Sequence, residues 1–389
     1  MAGQDILNKS GAQSKCIVIH FTTVHSRTDT RIRIKQTASL AAQAGYQVAL
    51  FVQDGQGDNL DEMTGVEIID SGPKLDIRPL RMVLGALRMW QAVRKAKPNV
   101  AHFHDPELIP VGLLLKFSGI KIVYDVHEDV PRQILGKYYF PAIARRPIAW
   151  AMDTVEWIAG RCFDAIVPAT PKIAERFPTP KTIVIKNYPI QEELDARDAA
   201  LYPARPPYFA FVGSITKARG VIEMVDAIGR VRSMEARLQL AGAFNPMELR
   251  AEVECLPGWG KVDFLGWVNR GVVAKLLGNV RGGLVVLHPT KRYPDAYPVK
   301  MFEYMAAGLP VIASDFALWR EIVEGAGCGL LVDPQNPDEI AGAMQWILDN
   351  PQKAEVMGSR GRQAVMEKYN WERESEKLIL LYEQLLKKN

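Results

Sequence analysis

The sequence predicts an α/β protein with two parallel-sheet domains, and three observations carry that expectation. Residues 282–315 (GGLVVLHPTKRYPDAYPVKMFEYMAAGLPVIASD) read as strand, loop, helix and strand. Such alternation builds a parallel sheet with helices on its faces. Residues 16–51 open the chain in the same order. The third observation is length: 389 residues suffice for two ordinary domains. The polar, Ala- and Pro-rich stretch 191–207 is the linker between them.

Taken in order, the polar start MAGQDILNKSGAQSK resembles no signal peptide. Residues 16–21 (CIVIHF) are apolar and β-branched, hence a strand. Ile34, Ala38 and Ala41 keep helical spacing from Arg31 to Ala44, and Gly45 closes that helix. Gln47 to Phe51 is the next strand. No GxGxxG joins these elements, so the usual fingerprint of nicotinamide or flavin binding is missing. Arg78 to Lys97 is a basic amphipathic helix stopped by Pro98. Either it packs on the sheet, or it meets an anionic lipid surface.

Asn99 to Phe103 and Lys121 to Tyr124 are strands that end in polar groups: His102, His104 and Asp105, then Asp125, His127, Glu128 and Asp129. Strand ends of this kind are where an α/β protein builds its site. A long helix fills Pro141 to Arg161, with Trp150 and Trp157 expected inward. Asp164–Val167 and Thr182–Ile185 complete the strands of this half.

In the second half, Tyr208 to Val212 is a strand followed by Gly213-Ser214-Ile215-Thr216-Lys217-Ala218-Arg219-Gly220. Leu238–Ala241 and Val262–Leu265 are strands, the latter followed by Gly266-Trp267-Val268. In the unit at 282–315, Pro298 suits a helix start, because its missing N–H has no partner there. Gly308 and Pro310 stop that helix. Amides around Ala296 to Val299 are expected to be unpaired and to face the strand ends, where a helix start favours anions. Trp371 to Leu386 is an amphipathic last helix.

Composition limits the function classes. Apolar residues make up 48% and charged residues 24%, as in soluble globular proteins, and no apolar run is long enough to span a bilayer. Cys16, Cys162, Cys255 and Cys328 are scattered without zinc spacing, so reduced thiols and no metal are expected. Residues 1–190 hold 24 Lys/Arg against 18 Asp/Glu, a net of +6, and residues 191–389 hold 24 against 26, a net of −2. The basic first half favours an anionic partner, a membrane surface or a phosphate-bearing acceptor. No nucleic-acid-binding signature is present.

Asp295 and Glu303 stand eight residues apart around Pro298 and Lys300, and EYMAAGLPVIASD follows. This run resembles the acidic pair of retaining glycosyltransferases of family four (glycosyl transferases group 1). That family usually carries Glu at both positions, where this chain has Asp295 at the first. The resemblance covers residues 205–389 well and the first half more loosely. It implies the GT-B fold, α/β with two facing Rossmann-like domains and a cleft between them. Residues 1–190 would be the acceptor-binding domain and 208–370 the nucleotide-sugar-binding domain, with 371–389 a helix crossing back to the first.

The resemblance also implies roles. Gly213 and Ser214 match the family's glycine loop, with Ser214 where a first cation is usual, Arg219 at the later cationic position and Lys217 as a substitute for the missing charge. Positive charge is needed where the diphosphate leaves, because negative charge accumulates there. Trp267 and Val268 would border the base, Trp267 being alternatively plain core. Glu303 would take the ribose hydroxyls, and Asp295 would sit beside the sugar near the backbone of Tyr297, Pro298 and Val299. His127 would meet the donor sugar. Arg27, Arg31, His104 and Glu128 would meet the acceptor, while for Arg27 and Arg31 a plain surface role is an equal alternative.

The function implied is a retaining, metal-independent hexosyltransferase without cofactor. Its donor is a nucleotide-diphospho-sugar, with a UDP-sugar preferred. Its acceptor is a glycan or lipid-linked glycan of bacterial surface polysaccharide assembly, met in the cytoplasm at the inner membrane face. Two other classes stay open. A GT-B sugar-nucleotide 2-epimerase would release free epimerised donor without acceptor. A non-catalytic nucleotide-sugar-binding protein would bind without transfer.

Overall fold

The structure is a computed structural model that describes residues 16–136, 141–190, 201–291 and 293–387. The segment 191–200 of the expected linker lies outside the described residues. The chain divides into two compact units, Met1–Asn187 with Glu372–Asn389, and Tyr188–Trp371.

The first unit is built on a sheet of Ile17–Phe21 (β1), Gln47–Val52 (β2), Asn59–Leu60 (β3), Glu67–Asp70 (β4), Val100–Phe103 (β5), Lys121–Val126 (β6) and Ala165–Pro168 (β7). Their order is β3-β4-β2-β1-β5-β6-β7. All pairs are parallel except the short β3–β4 edge. Ile19, Phe21, Ala49, Phe51, Ala101, Phe103, Ile122 and Tyr124 form its core. Strands buried on both faces read as continuous apolar runs, which is why these were legible. The expected strand at Thr182–Ile185 instead runs beside β7 as an extended segment, Ile183 N donating to Ile166 O at 3.0 Å.

The helix expected from Arg31 to Ala44 begins as a π-helix, Thr30–Thr37, and continues as an α-helix, Ala38–Ala44. Asp29 caps it, its carboxylate accepting from the N–H groups of Arg31 and Ile32. Such wide turns recur at functional sites. In the basic helix, Ala86, Met89 and Val93 face the sheet, whereas Met82, Val83, Leu84 and Leu87 are exposed.

The long helix Ala142–Cys162 corrects the expectation for its tryptophans. Trp150 is 72% exposed and Trp157 is 53% exposed. The buried face is made of Ala149, Glu156, Ala159 and Gly160. A methyl group on Gly160 would lie 2.9 Å from the Phe177 ring, so small residues set the approach. Glu156 is satisfied there by the Tyr124 hydroxyl at 3.1 Å and by Arg176 at 2.6 Å.

The last helix, Trp371–Lys387, contributes Tyr382 to the first unit's interior. Lys121 Nζ donates to Leu385 O at 2.8 Å and Lys186 N to Glu374 Oε2 at 2.9 Å.

The second unit carries Tyr208–Val212 (β8), Arg237–Ala241 (β9), Val262–Gly266 (β10), Gly282–Val285 (β11), Val311–Ser314 (β12) and Gly329–Val332 (β13). The order is β10-β9-β8-β11-β12-β13, parallel throughout. That is the doubly wound order whose strand sequence reverses direction between β8 and β11, and ligands bind at the carboxyl ends beside such a reversal. The first unit has the same reversal between β1 and β5. Tyr188 belongs to the second unit, packed on Phe302 and Tyr369 at ring separations of 4.8 and 5.5 Å. The first unit therefore stops at Asn187 rather than at residue 190.

Candidate functional site

At the second unit's reversal, β8 runs into Gly213, whose φ of 144° suits glycine. Arg219 folds back on this turn, donating to Ser214 O at 3.3 Å. A methyl group on Gly213 would lie 3.1 Å from Arg219 Nη1 and 3.7 Å from Lys300 Cε. Gly220 has φ of 70°, and a side chain there would meet the Val286 carbonyl oxygen at 2.2 Å, so the backbone of this loop lies directly on β11's exit.

The helix Val299–Ala306 follows Pro298 and supplies Lys300 and Glu303. Glu303 is 3% exposed. Its Oε1 accepts from Arg270 at 2.6 Å and its Oε2 from Lys300 at 2.8 Å. Burial works to raise its pKa, but the charges of Lys300 and Arg270 outweigh burial and hold it below the usual carboxylate range. Gly213, Arg219, Lys300, Glu303 and Arg270 therefore gather at one place. The Tyr304 hydroxyl accepts from Val212 N at 2.9 Å and ties the helix to β8.

Other residues of this half are placed differently. Lys217 turns to Glu252, at 2.7 Å, on the surface. Asp295 is exposed on its loop. That loop is pinned on either side, Ala296 N donating to Tyr293 O at 3.0 Å and Trp319 Nε1 to Ala296 O at 2.8 Å. The Ala296 amide is thus already used, contrary to expectation. The Tyr297 ring leans on Tyr188 and Phe302, at 6.3 and 6.5 Å between centroids. Trp267 is 80% exposed and is not core, whereas Val268 packs against the core's edge. Arg270 and Lys300 were not among the expected site residues. Lys300 stood within the acidic run, but nothing near Arg270 in sequence points to Glu303.

In the first unit, a cavity of about 600 Å³ opens at the ends of β1, β5 and β6. Its lining includes His25, Arg31, Arg81, His104, His127 and Glu128. Arg31 donates to Asp125 Oδ1 at 2.8 Å and Gln36 to Asp125 Oδ2 at 2.5 Å. Burial alone would raise the Asp125 pKa, yet Arg31 and the nearby imidazoles hold it well below the usual range. Burial, with Arg31 adding to it, holds His127 well below the ordinary histidine value, so its ring is neutral. Arg27 is elsewhere, forked on Asp54 at 2.6 and 2.5 Å and bonded to Asn59 at 2.7 Å. It serves its own loop and does not line the cavity. Asp105 holds the β1 exit, accepting from Thr22 Oγ1 at 2.7 Å and Thr23 N at 2.6 Å.

Among the described residues, His20, His102 and His104, or His104, Asp125 and His127, stand close enough to ligate a cation. Both Asp125 oxygens already accept hydrogen bonds. The imidazoles of His102 and His104 are stacked at 4.8 Å rather than pointed at one centre.

Two α/β units, each with a parallel sheet whose strand order reverses beside a polar site, are those of the GT-B fold class. Two family models match in succession, Glycosyltransferase Family 4 over residues 32–185 and Glycosyl transferases group 1 over residues 193–364. The chain belongs to this glycosyltransferase family. It is 26% identical over 378 residues to phosphatidyl-myo-inositol mannosyltransferase of Mycolicibacterium smegmatis, covering 90% of this chain and 88% of that one. It is 29% identical over 174 residues to an uncharacterised glycosyltransferase of Methanocaldococcus jannaschii, covering 44% of this chain and 43% of that protein. Its fold is similar to that of HepE from Anabaena, solved in complex with UDP and glucose, with a TM-score of 0.73, 13% identity, and coverage of 95% of this chain and 100% of that one.

Proposed function

We propose that this protein transfers a sugar, with retention, from a nucleotide-diphospho-sugar to a glycan or lipid-linked glycan acceptor of bacterial surface polysaccharide assembly. The single observation that carries the donor assignment is the gathering of Arg219, Lys300 and Arg270 around the Gly213 turn and Glu303. Three cations at a strand-end reversal suit a diphosphate, and the buried carboxylate suits ribose hydroxyls. A UDP-sugar is the preferred donor, in keeping with the UDP complex of the Anabaena neighbour.

Arg219 and Lys300 stabilise the leaving diphosphate as its charge grows. With Lys217 turned to Glu252, Lys300 is the residue that stands in for the cation missing at Ser214. Asp295 and His127 bind sugar hydroxyls, and Arg31, His104 and Glu128 belong to the acceptor side. Catalysis requires no metal, because leaving-group charge is met by side chains. Much of the rate comes from holding both substrates in reacting orientation.

No helix of the described residues is long and apolar enough to cross a membrane. The exposed Met82, Val83, Leu84 and Leu87 on a basic helix support contact with an anionic membrane surface from the cytoplasmic side. Isothermal titration with UDP, followed by transfer from UDP-sugars to lipid-linked oligosaccharides, tests the reading. Nucleotide binding without any transfer, across a panel of sugars and acceptors, would leave the epimerase and binding-protein alternatives, which release of free epimerised donor separates.

A further inference from the structure

Four imidazoles and one phenol of the first unit stand in single file. His102 Nδ1 is 2.7 Å from the Tyr382 hydroxyl, which is 3.2 Å from His20 Nε2. His20 Nδ1 is 3.1 Å from His104 Nε2. His104 Nδ1 is 3.3 Å from His127 Nε2 and also 3.3 Å from Asp125 Oδ2. His20, His102 and His104 are buried, and the His127 side chain is largely so.

A neutral imidazole donates from one nitrogen and accepts at the other. One fixed proton therefore sets the direction of the whole file. Asp125 fixes it, because an ionised carboxylate only accepts. His104 then carries its proton on Nδ1 and accepts at Nε2. His20 must donate from Nδ1 to that nitrogen and accept at its own Nε2. The Tyr382 hydroxyl donates there, and its oxygen accepts from His102 Nδ1–H. The atom left over is His102 Nε2, and this nitrogen is indeed buried without a hydrogen-bond partner among the described residues.

The same rule runs toward the cavity. The one His104 Nδ1–H lies between Asp125 Oδ2 and His127 Nε2, each 3.3 Å away, and a second N–H cannot face it, so His127 Nε2 accepts. The opposite choice, His127 Nε2–H donating to Asp125 Oδ1, would span 3.7 Å, too long for a hydrogen bond. We infer that Asp125, acting through the positioning residue His104, fixes His127 as the Nδ1–H tautomer, while His20, Tyr382 and His102 take their proton direction from the other side of His104. His127 then offers the cavity a neutral N–H donor and not a base. Its partner is an oxygen lone pair, such as that of a sugar hydroxyl, and this consequence rests on the glycosyl-transfer reading. The tautomer itself does not.

The test is long-range ¹H–¹⁵N correlation of histidine-labelled full chain. The expected wild-type spectrum has His127 with a protonated Nδ1 and an unprotonated Nε2. His104→Ala removes the donor to Nε2 and should move His127 toward the Nε2–H form. Asp125→Asn should release His104 and His127 together; should it fail to fold, His104→Ala and Tyr382→Phe remain. Tyr382→Phe should unfix His20 while leaving His127 as in wild type. Under the transfer reading, His104→Ala lowers kcat about tenfold with donor KM within about twofold. A His127 Nε2–H signal in the wild type overturns the inference. So does stoichiometric zinc in the purified protein, which would make the cluster a metal site. Should the tautomer be found but no sugar ever be transferred, the assignment stands and the glycosyl-transfer reading falls.

Discussion

Replacing Glu303 by Gln removes one negative charge from a buried place where two cations converge. The carboxylate accepts from Arg270 at 2.6 Å and Lys300 at 2.8 Å. Charge-assisted bonds of this kind contribute about 1.5–3 kcal/mol each. Arg270 is 42% exposed and Lys300 is 32% exposed, so water takes over part of each lost bond. The net loss of stability should be about 2 kcal/mol. Nucleotide binding loses more specifically. Ribose hydroxyls that donate to a carboxylate must make do with an amide, half of which repels them. About 2 kcal/mol of binding energy, or about 30-fold in Kd, is expected. Isothermal titration of the nucleoside diphosphate against wild type and Glu303→Gln, beside urea midpoints, separates the two effects. A Kd within twofold of wild type in a folded variant would remove Glu303 from the nucleotide site.

Further outcomes follow from the same geometry. Arg219→Ala should depress kcat about 100-fold with a smaller change in donor KM, because leaving-group charge grows toward the transition state; a change confined to KM would refute the leaving-group role. Asp295→Asn should cut transfer strongly while bare nucleotide binds as before, and Asp295→Glu should keep partial activity. Transfer by Asp295→Asn at the wild-type rate would place Asp295 outside the reaction. Tyr304→Phe should cost about 1–3 kcal/mol, since it strands the buried Val212 N–H; calorimetry showing no loss would mean that water replaces the hydroxyl.

The last concerns Asp29, which caps the first helix and bonds His25. Burial opposes its charge, but the His25 contact and the Ile32 N–H outweigh burial and hold it at about 2 instead of 3.8. A depressed folded-state pKa stabilises above the unfolded value and loses that contribution as pH falls. About 2 kcal/mol should therefore vanish between about pH 4 and pH 2. Urea midpoints of wild type and Asp29→Asn should converge at the acid end; a constant gap would contradict the assignment.

The strands β11 and β12 and the helix between them were legible because one local stretch carries all their signals: an apolar run, a proline start and a glycine stop. Glu303 was legible for the same reason. Its partner Arg270 was not, since their contact is made by the fold and leaves no local pattern. The tryptophans of Ala142–Cys162 misled because large apolar side chains were assigned to the inside. That helix packs instead through Gly160 and Ala159, and buries a glutamate that Tyr124 and Arg176 satisfy. His104 and His127 stood out as polar strand ends. Their connection to His20 and Tyr382 depends on β1, β5 and the last helix meeting in space, which periodicity does not encode. Lys217 was suggested by its place in the glycine loop and Arg27 by its place in the first loop, with a plain surface role an equal alternative for Arg27; each was claimed by a nearer carboxylate, Glu252 and Asp54.

The central claim is that the cations around Gly213 and the carboxylate of Glu303 form a nucleoside-diphosphate site. Thermal denaturation with UDP, GDP, ADP or dTDP, each beside its free nucleoside, tests it most directly. A ligand that binds only the folded state at about 100 times its Kd stabilises by about 2.7 kcal/mol, which at about 2–4 °C per kcal/mol for a unit of this size raises the melting point by about 5–11 °C. The account predicts that rise for UDP, little for uridine, and its loss in Glu303→Gln. No rise with any of the four diphosphates, or an equal rise with uridine, would contradict it.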